Sequence, residues 1–519
     1  MAAASVMPAL AQSSTDTLRI AFAARANRTL DPANSIQGAD NWSIVHIHDT
    51  LVASPNGQFA RKPSDFVPQL AESWAMSPDA RTWTFKLREG VQFHKGYGEC
   101  TADDVVFTIN RLKDPEKAGS RKVLYENITD VRADGKYRAV IQLAQPDPLL
   151  LSGPIQDYSC AIMSRKAFQE KGDSIQSDPI GTGVYQFVSL DPDPTKGIMM
   201  TANANYFNGP PKTKNLQVRY ILDTTARTLA LLSGDVHMIE GVRAPGWVPS
   251  IKQRKPALLL DIAAPGSLFN LSFNLTRKPL DDLRVRQAFA YAIDRDAIAH
   301  AMAPFGGRTY GLNPPGFPGG LTETEVPAQL RYKFDPKKAK ALLAEAGFPN
   351  GLAVDAFTSQ REDYNSVMLI VQEQMRAVGV TIKLQVIDHT TFHANDHKDM
   401  NSLAQISSAY PPVPTEPLID NLAKSAEVHP DGNGGNNFSH YGAAMPGIDD
   451  ILAAAMAEPD FDKRIALIQQ AELKVMTDLP LLPISTNGYL IARDPKVTLG
   501  FEVHSGYAYW RLDQATISA

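Results

Sequence analysis

The densest group of side chains able to bind a metal or move a proton is Asp388, His389, His393, Asp396, His397 and Asp399, all within twelve residues. On a helix its three histidines stand at i, i+4 and i+8, on one face. A pair such as His389 and His393 can chelate one ion, but i to i+8 spans roughly 12 Å, too far for a shared metal. A centre at His389 and His393 therefore needs ligands from elsewhere. The same spacing equally describes a solvated polar helix face.

Other chemistry is missing at the level of motifs. There is no G-x-S-x-G elbow, no H-E-x-x-H, no phosphate-binding P-loop and no dinucleotide G-x-G-x-x-G. Gly181-Thr182-Gly183 follows Pro179 and precedes the strand-like Val184-Tyr185-Gln186-Phe187, so it turns the chain rather than opening a phosphate-binding helix. The acid pairs Asp103-Asp104 and Asp281-Asp282 fall where helices begin, and there they offset the positive end of the macrodipole. A hydrolase needs a nucleophile–base pair that nothing here supplies, so the reading is a non-enzyme with no cofactor. Two cysteines, Cys100 and Cys160, lack metal-type spacing, and in an oxidising compartment such a pair is expected to form one disulfide.

The elements that must hold these residues are mixed. Trp83-Thr84-Phe85-Lys86-Leu87, residues 138–143 and residues 216–221 alternate as half-buried strands do. A helix capped by Asp281 or Asp282 carries Val285, Ala288, Phe289 and Ala292 on one face. A second is predicted from about Lys337 to Ala346, stopping at Gly347, and a third after Asp460 that buries Ile465, Ile468 and Val475. Residues 304–319 and 429–436 read as long surface loops. Mixed order without a strict βαβ repeat predicts an α/β protein with several mixed sheets.

A chain of 519 residues, 44% hydrophobic and 21% charged, is an ordinary globular composition but too long for one core. With a net charge of -5 and no basic run, the chain offers no footprint for nucleic acid. Ala9-Leu10-Ala11 before Gln12 has the A-x-A form of a signal-peptidase site, so residues 1–14 read as a signal-peptide remnant. No cysteine lies there to take a lipid, which points to a Gram-negative periplasm.

Several segments together resemble the extracellular solute-binding protein family 5, the peptide, nickel and opine receptors of ABC importers. They are Leu30-Asp31-Pro32, Leu70-Ala71-Glu72-Ser73-Trp74, the stretch from Trp83 to His94, Thr101-Ala102-Asp103-Asp104-Val105, and Pro179-Ile180-Gly181-Thr182-Gly183-Val184-Tyr185. Leu283-Arg284-Val285-Arg286-Gln287-Ala288 with Ala292-Ile293-Asp294-Arg295, then Leu479-Pro480-Leu481-Leu482-Pro483, continue the order. The resemblance implies a two-lobed periplasmic-binding-protein fold, type II-like, with an accessory domain in lobe one. Lobe one would comprise 15–58, 178–268 and 485–519, the accessory domain 59–177, and lobe two 269–484. Hinges are expected near 177–180, 265–274 and 483–487. It also implies a monomer that closes on a small-molecule ligand and hands it to ABC permease subunits in the inner membrane.

Peptide-binding members carry an acid for the peptide ammonium in lobe two, where this chain has Ala409 in the stretch from Ile406 to Pro417. An ammonium buried without a counter-ion is costly, so Glu416 or Asp40 must supply the charge or the ligand lacks a free ammonium. By position the candidate contacts are Asp40, Asn41 and Trp42 after the first strand, Arg361 beyond the strand-like 352–357, and Tyr410 and Glu416. Trp42 would offer a flat apolar platform, and Arg361 a fork for a carboxylate. The expected ligand is therefore polar, organic and acid-bearing: a peptide or peptide-like molecule, or an opine or sugar-acid conjugate. A nickel or metal-chelate receptor using His389 is the remaining option.

Overall fold

Thr17–Phe22 is a strand buried almost throughout, and it accordingly has neighbours on both sides. It pairs in parallel with Asn215–Tyr220 and with Met238–Glu240. The structure, a computed structural model, describes residues 15–35, 38–114, 122, 124–244, 246–409, 413–432, 434–506 and 509–518, apart from the side chains at 363, 408 and 409. The proposed signal-peptide residues 1–14 and Tyr410 lie outside the described residues.

These strands belong to a nine-stranded sheet. Its order is Leu403–Ala409, Leu259–Phe273, Leu481–Arg493, Met238–Glu240, Thr17–Phe22, Asn215–Tyr220, Ile198–Ala202 and Tyr185–Leu190, with Gly306–Gly307 paired to Leu481–Arg493. Two of these strands are much longer than the rest. Leu259–Phe273 and Leu481–Arg493 run antiparallel, with register shifts between Ala263 and Gly266 and again by Asn270. At Gly266 the chain takes φ +71°, and a Cβ there would lie 2.1 Å from the Asn487 carbonyl oxygen, so only glycine fits.

Separate apolar cores form on either side of that irregularity. One gathers Phe22, Trp42, Tyr185, Val218, Ile491 and Trp510. Another gathers Phe269, Phe273, Phe289, Met368, Leu418 and Val475. A third, around Trp83, Phe85, Ile109, Tyr125 and Ile141, lies against a four-stranded sheet made by Ala71–Met76, Thr82–Leu87, Arg138–Leu143 and Ile128–Ala133. Leu352–Ser359 pairs in parallel with Val380–Ile387. No helix among the described residues is long and apolar enough to cross a membrane.

The recurring sequence segments act as ties between elements. Asp31 accepts both terminal nitrogens of Arg111, with Nη1 at 2.8 Å, and so pins the loop after the first strand to the helix Ala102–Lys113. Asp104 caps that helix by accepting from the Thr101 backbone N–H at 3.0 Å. Gly181 and Gly183 pass so close to residues 46–47 that Cβ atoms would stand 2.0 and 2.4 Å from the carbonyl oxygens of Ile47 and His46. Arg286 donates to the carbonyls of Leu280 and Asp478 at 2.8 Å each, and Arg295 to that of Pro483 at 3.2 Å.

The helices fall close to expectation. Asp282 caps Leu283–Ala292, Asp335 caps Pro336–Glu345, and Asp460 caps Phe461–Asp478. Two expectations fail. The segment 304–319 is no surface loop: Thr309, Leu312 and Asn313 are buried, and the backbone N–H groups of Leu312 and Asn313 donate to Glu472 at 2.9 and 2.7 Å. Composition could not show this, because the acceptor is a helix residue more than 150 positions away. Burial raises that carboxyl to about 7.

The second failure is the disulfide. Cys100 and Cys160 are free and buried. Each is fixed by its own neighbours: Cys100 N–H donates to the Val91 carbonyl at 2.8 Å, and Cys160 N–H to the Asp157 carbonyl at 2.9 Å. Burial pushes the Cys160 thiol up to about 12 and that of Cys100 also upward, so little thiolate forms at neutral pH. Unreduced protein is thus expected to resist iodoacetamide while folded and to take up two carbamidomethyl groups once denatured, read by intact mass. A mass with no labels after denaturation would restore the bridge.

Candidate ligand site

A cavity of about 190 Å³ opens beside the bend in the long strands. Its walls come from parts of the segment 44–59, from Val67 and Gln69, from Gln156, Tyr158 and Ala161, from Tyr206 and Asn208, and from Ser505, Gly506, Tyr509, Trp510, Arg511 and Asp513. Gly506 in that wall bridges to Pro265 of the strand Leu259–Phe273. Phe59 stands edge-on to Phe317, with ring centroids 5.7 Å apart, so the cavity borders the contact between the first-strand body and the segment 304–319.

Beneath the aromatic walls lies a closed polar network. Arg511 donates to Asp49 and to Gln69, both at 2.8 Å, and to the Tyr206 hydroxyl at 2.9 Å. Asp49, with no exposed side-chain surface, also accepts from Tyr206 at 2.9 Å and Thr182 at 2.7 Å. His46 accepts the Leu512 N–H on Nε2 at 2.8 Å, so its Nδ1–H faces the Trp42 carbonyl. Burial drives His46 and His48 down to about 4, which keeps both rings neutral.

Asp40, Asn41 and Trp42 lie behind this cavity rather than in its lining. Trp42 is fully buried between Phe22 and Trp510, at 5.1 and 5.0 Å, and has no face left for a ligand. Trp510 is the ring that reaches the cavity. Asp40 accepts from Asn27 Nδ2 at 3.0 Å and from the Arg28 N–H at 3.1 Å, which fixes the loop after the first strand. Asn41 accepts from Ser35 Oγ at 2.7 Å. The helix Gly38–Ile47 that carries them is buried on nearly every side, which its even spread of apolar residues did not disclose.

On the other side of the long strands, Arg361 stands at the head of the helix Glu362–Ala377. Its Nη1 is 3.5 Å from His389 Nε2, and its guanidinium lies 5.7 Å over the Tyr364 ring. His389 and His393 meet edge to face, with ring centroids 4.6 Å apart, on the helix His389–His397, and Ser359 Oγ meets His389 Nδ1 at 2.9 Å. Burial, then the neighbouring His389, His397 and Arg361, lowers His393 to about 4. Among the described residues no three His, Cys, Asp or Glu side chains are grouped to hold a metal. The guanidinium of Arg361 beside His389 repels a cation and favours an anion. Glu416 begins the helix Glu416–Leu422, where its charge suits the N-terminal end.

Sequence reasoning named Arg361 and the histidines, which the structure brings together, and did not name the residues that line the cavity. The aromatic and charged run Tyr509-Trp510-Arg511 was the available signal, but its partners Asp49, Gln69 and Tyr206 are more than 300 residues away.

Comparison with known proteins agrees with this arrangement. Residues 65–426 match the model of the bacterial extracellular solute-binding proteins, family 5 Middle. The chain is 28% identical over 471 residues to the dipeptide-binding protein of Escherichia coli K12, covering 85% of this chain and 84% of that one. It is 31% identical over 517 residues to the heme-binding protein A of Haemophilus influenzae, covering 94% and 90%. A solved structure, the PBP/SBP MoaA from A. tumefacien R10 in complex with mannopinic acid, superposes with a TM-score of 0.79 at 30% identity, covering 97% of this chain and 100% of that one.

The Asp49–Arg511 pair yields a direct test. Arg511→Ala strands a fully buried carboxylate and should cost about 3–5 kcal/mol in urea unfolding. The double variant Asp49→Asn, Arg511→Met should recover part of that loss. Equal stability of wild type and Arg511→Ala would show that the pair carries no structural burden.

Proposed function

The chain belongs to the bacterial extracellular solute-binding proteins, family 5, and from that premise we propose that it is the periplasmic substrate-binding component of an ABC importer. It captures a small polar organic ligand, peptide or peptide-like and acid-bearing, by closure of two lobes, and presents it to permease subunits. It performs no chemistry on that ligand and works as a monomer. The lobes are 15–58, 178–268 and 485–519 on one side and 269–484 on the other, with 59–177 as the accessory domain.

One observation carries the reading. Two separately cored bodies share the strands Leu259–Phe273 and Leu481–Arg493, and an aromatic cavity and the Arg361 cluster both touch the first of those strands. Gly506 in the cavity wall bridges to Pro265, while Tyr364 beside Arg361 packs on Phe269 at 5.8 Å. A bend in such a strand pair lets the bodies swing without breaking either core. A carboxylate entering from solvent meets the guanidinium of Arg361, and closure strengthens that contact by excluding water. Arg361, Tyr410 and Glu416 are assigned to the ligand, with Asp40, Asn41 and Trp42 supporting the opposite wall. A sugar-acid or opine conjugate is the second reading, favoured by the relative that holds mannopinic acid at 30% identity.

The molecule that co-purifies should be identified by mass spectrometry after denaturation and then titrated back. We expect it to bear a carboxylate, to lower the radius of gyration in solution scattering, and to bind at least tenfold more weakly to Arg361→Ala, about 1.4 kcal/mol. Unchanged scattering would remove closure from the mechanism, and unchanged affinity would remove Arg361 from the site.

A further inference from the structure

The cavity beside the strand bend has walls of unlike character to the Arg361 cluster. Phe59, Tyr158, Tyr509 and Trp510 supply aromatic surface, and Ala53 and Ala161 leave open space between them. Most of its charged and polar groups are engaged with protein partners, while the ring nitrogens of His48 and the Trp510 Nε1–H are buried with no hydrogen-bond partner among the described residues. Asp49 accepts from Arg511, Tyr206 and Thr182. Gln156 accepts from Ser54 Oγ at 2.6 Å and donates to the Ser152 carbonyl at 2.7 Å, and the Tyr158 hydroxyl donates to the Ser35 carbonyl at 2.8 Å. Asp49 and Asp513 set two carboxylates against the single guanidinium of Arg511, so a ligand carboxylate arriving here, the third, meets net repulsion. A neutral flat group displaces only water and gains the ring contacts. A volume of about 190 Å³ exceeds the 150 Å³ or so of an apolar cavity known to take benzene.

We infer that this cavity binds an aromatic ring of the transported molecule while the Arg361 cluster holds its acid, so that the ligand is an aromatic-bearing carboxylic acid. This rests on the ligand-capture reading above. The two ends lie on one strand: Gly506 bridges to Pro265, and two residues on, about 7 Å along, Ser267 Oγ is 3.3 Å from Ser407 Oγ. The Ser407 carbonyl in turn accepts from the Tyr364 hydroxyl at 3.5 Å, beside Arg361. A molecule that reaches from ring to acid across this span fixes both bodies at once.

Two matched probes separate the ring from the acid. N-benzoylglycine and N-acetylglycine share an amide and a carboxylate and differ by phenyl against methyl. In calorimetry N-benzoylglycine should bind at least tenfold more tightly. Ala161→Trp and Ala53→Trp fill the cavity from different walls and leave the Asp49–Arg511 network untouched. In either variant, with folding confirmed by circular dichroism and thermal melting, the gap should fall to less than threefold. In Arg361→Ala both probes should weaken while the gap persists. Equal affinities in wild type, no binding of N-benzoylglycine at millimolar concentration, or a gap that survives filling would overturn the ring site. A preserved gap with affinities unmoved by Arg361→Ala would instead keep the ring site and sink the assignment of the acid to Arg361.

Discussion

Everything in this molecule hangs on two strands that must cross from one core to another without giving up their hydrogen bonds. Leu259–Phe273 and Leu481–Arg493 meet that demand by pairing with each other on both sides of a register break, with Leu403–Ala409, Gly306–Gly307 and Met238–Glu240 pairing along their outer edges. Their register slips where Gly266 approaches Asn487, and the bend falls there. The apolar cores lie on opposite sides of the slip, which allows each to pack independently.

Around this axis, buried charges serve as fasteners for irregular chain. Asp31 with Arg111, Asp49 with Arg511 and Asp147 with Arg464 each join segments distant in sequence. Glu472 does the same with the backbone N–H groups of Leu312 and Asn313 and the Asn313 side-chain amide. Loops that cannot form ladders still have N–H and C=O groups to satisfy, and an acid or guanidinium with several bonding positions can satisfy more than one of them. The cost of leaving any such charge alone makes the fastening specific.

The same arrangement sets two chemically unlike surfaces beside the shared strands. One flank presents a guanidinium against imidazoles and a tyrosine ring; the other presents aromatic walls over a network in which Asp49 and Asp513 face the single guanidinium of Arg511. The first favours an anion, and the second favours a group that asks for no new hydrogen bond. A strand shared between them lets a single bound molecule influence the angle between the bodies.

Local order determined what the sequence alone could determine. Alternation located strands such as Thr82–Leu87 and Arg138–Leu143, the capping acids located helices, and the ordered segments from Leu30 to Pro483 pointed to two lobes and a receptor. Arg361 was singled out because it stands just beyond a strand pattern, and the strand Leu352–Ser359 is there. Tertiary structure alone decided that Trp42 is sealed between Phe22 and Trp510, that Cys100 and Cys160 are buried as free thiols, and that Leu312 and Asn313 are buried on Glu472. It alone brought Asp49 to Arg511 across 462 positions. The reason is common to all four: periodicity and capping are read within a turn or a strand, whereas burial, pairing of charges and the walls of a cavity are set by which distant surfaces the folded chain presses together.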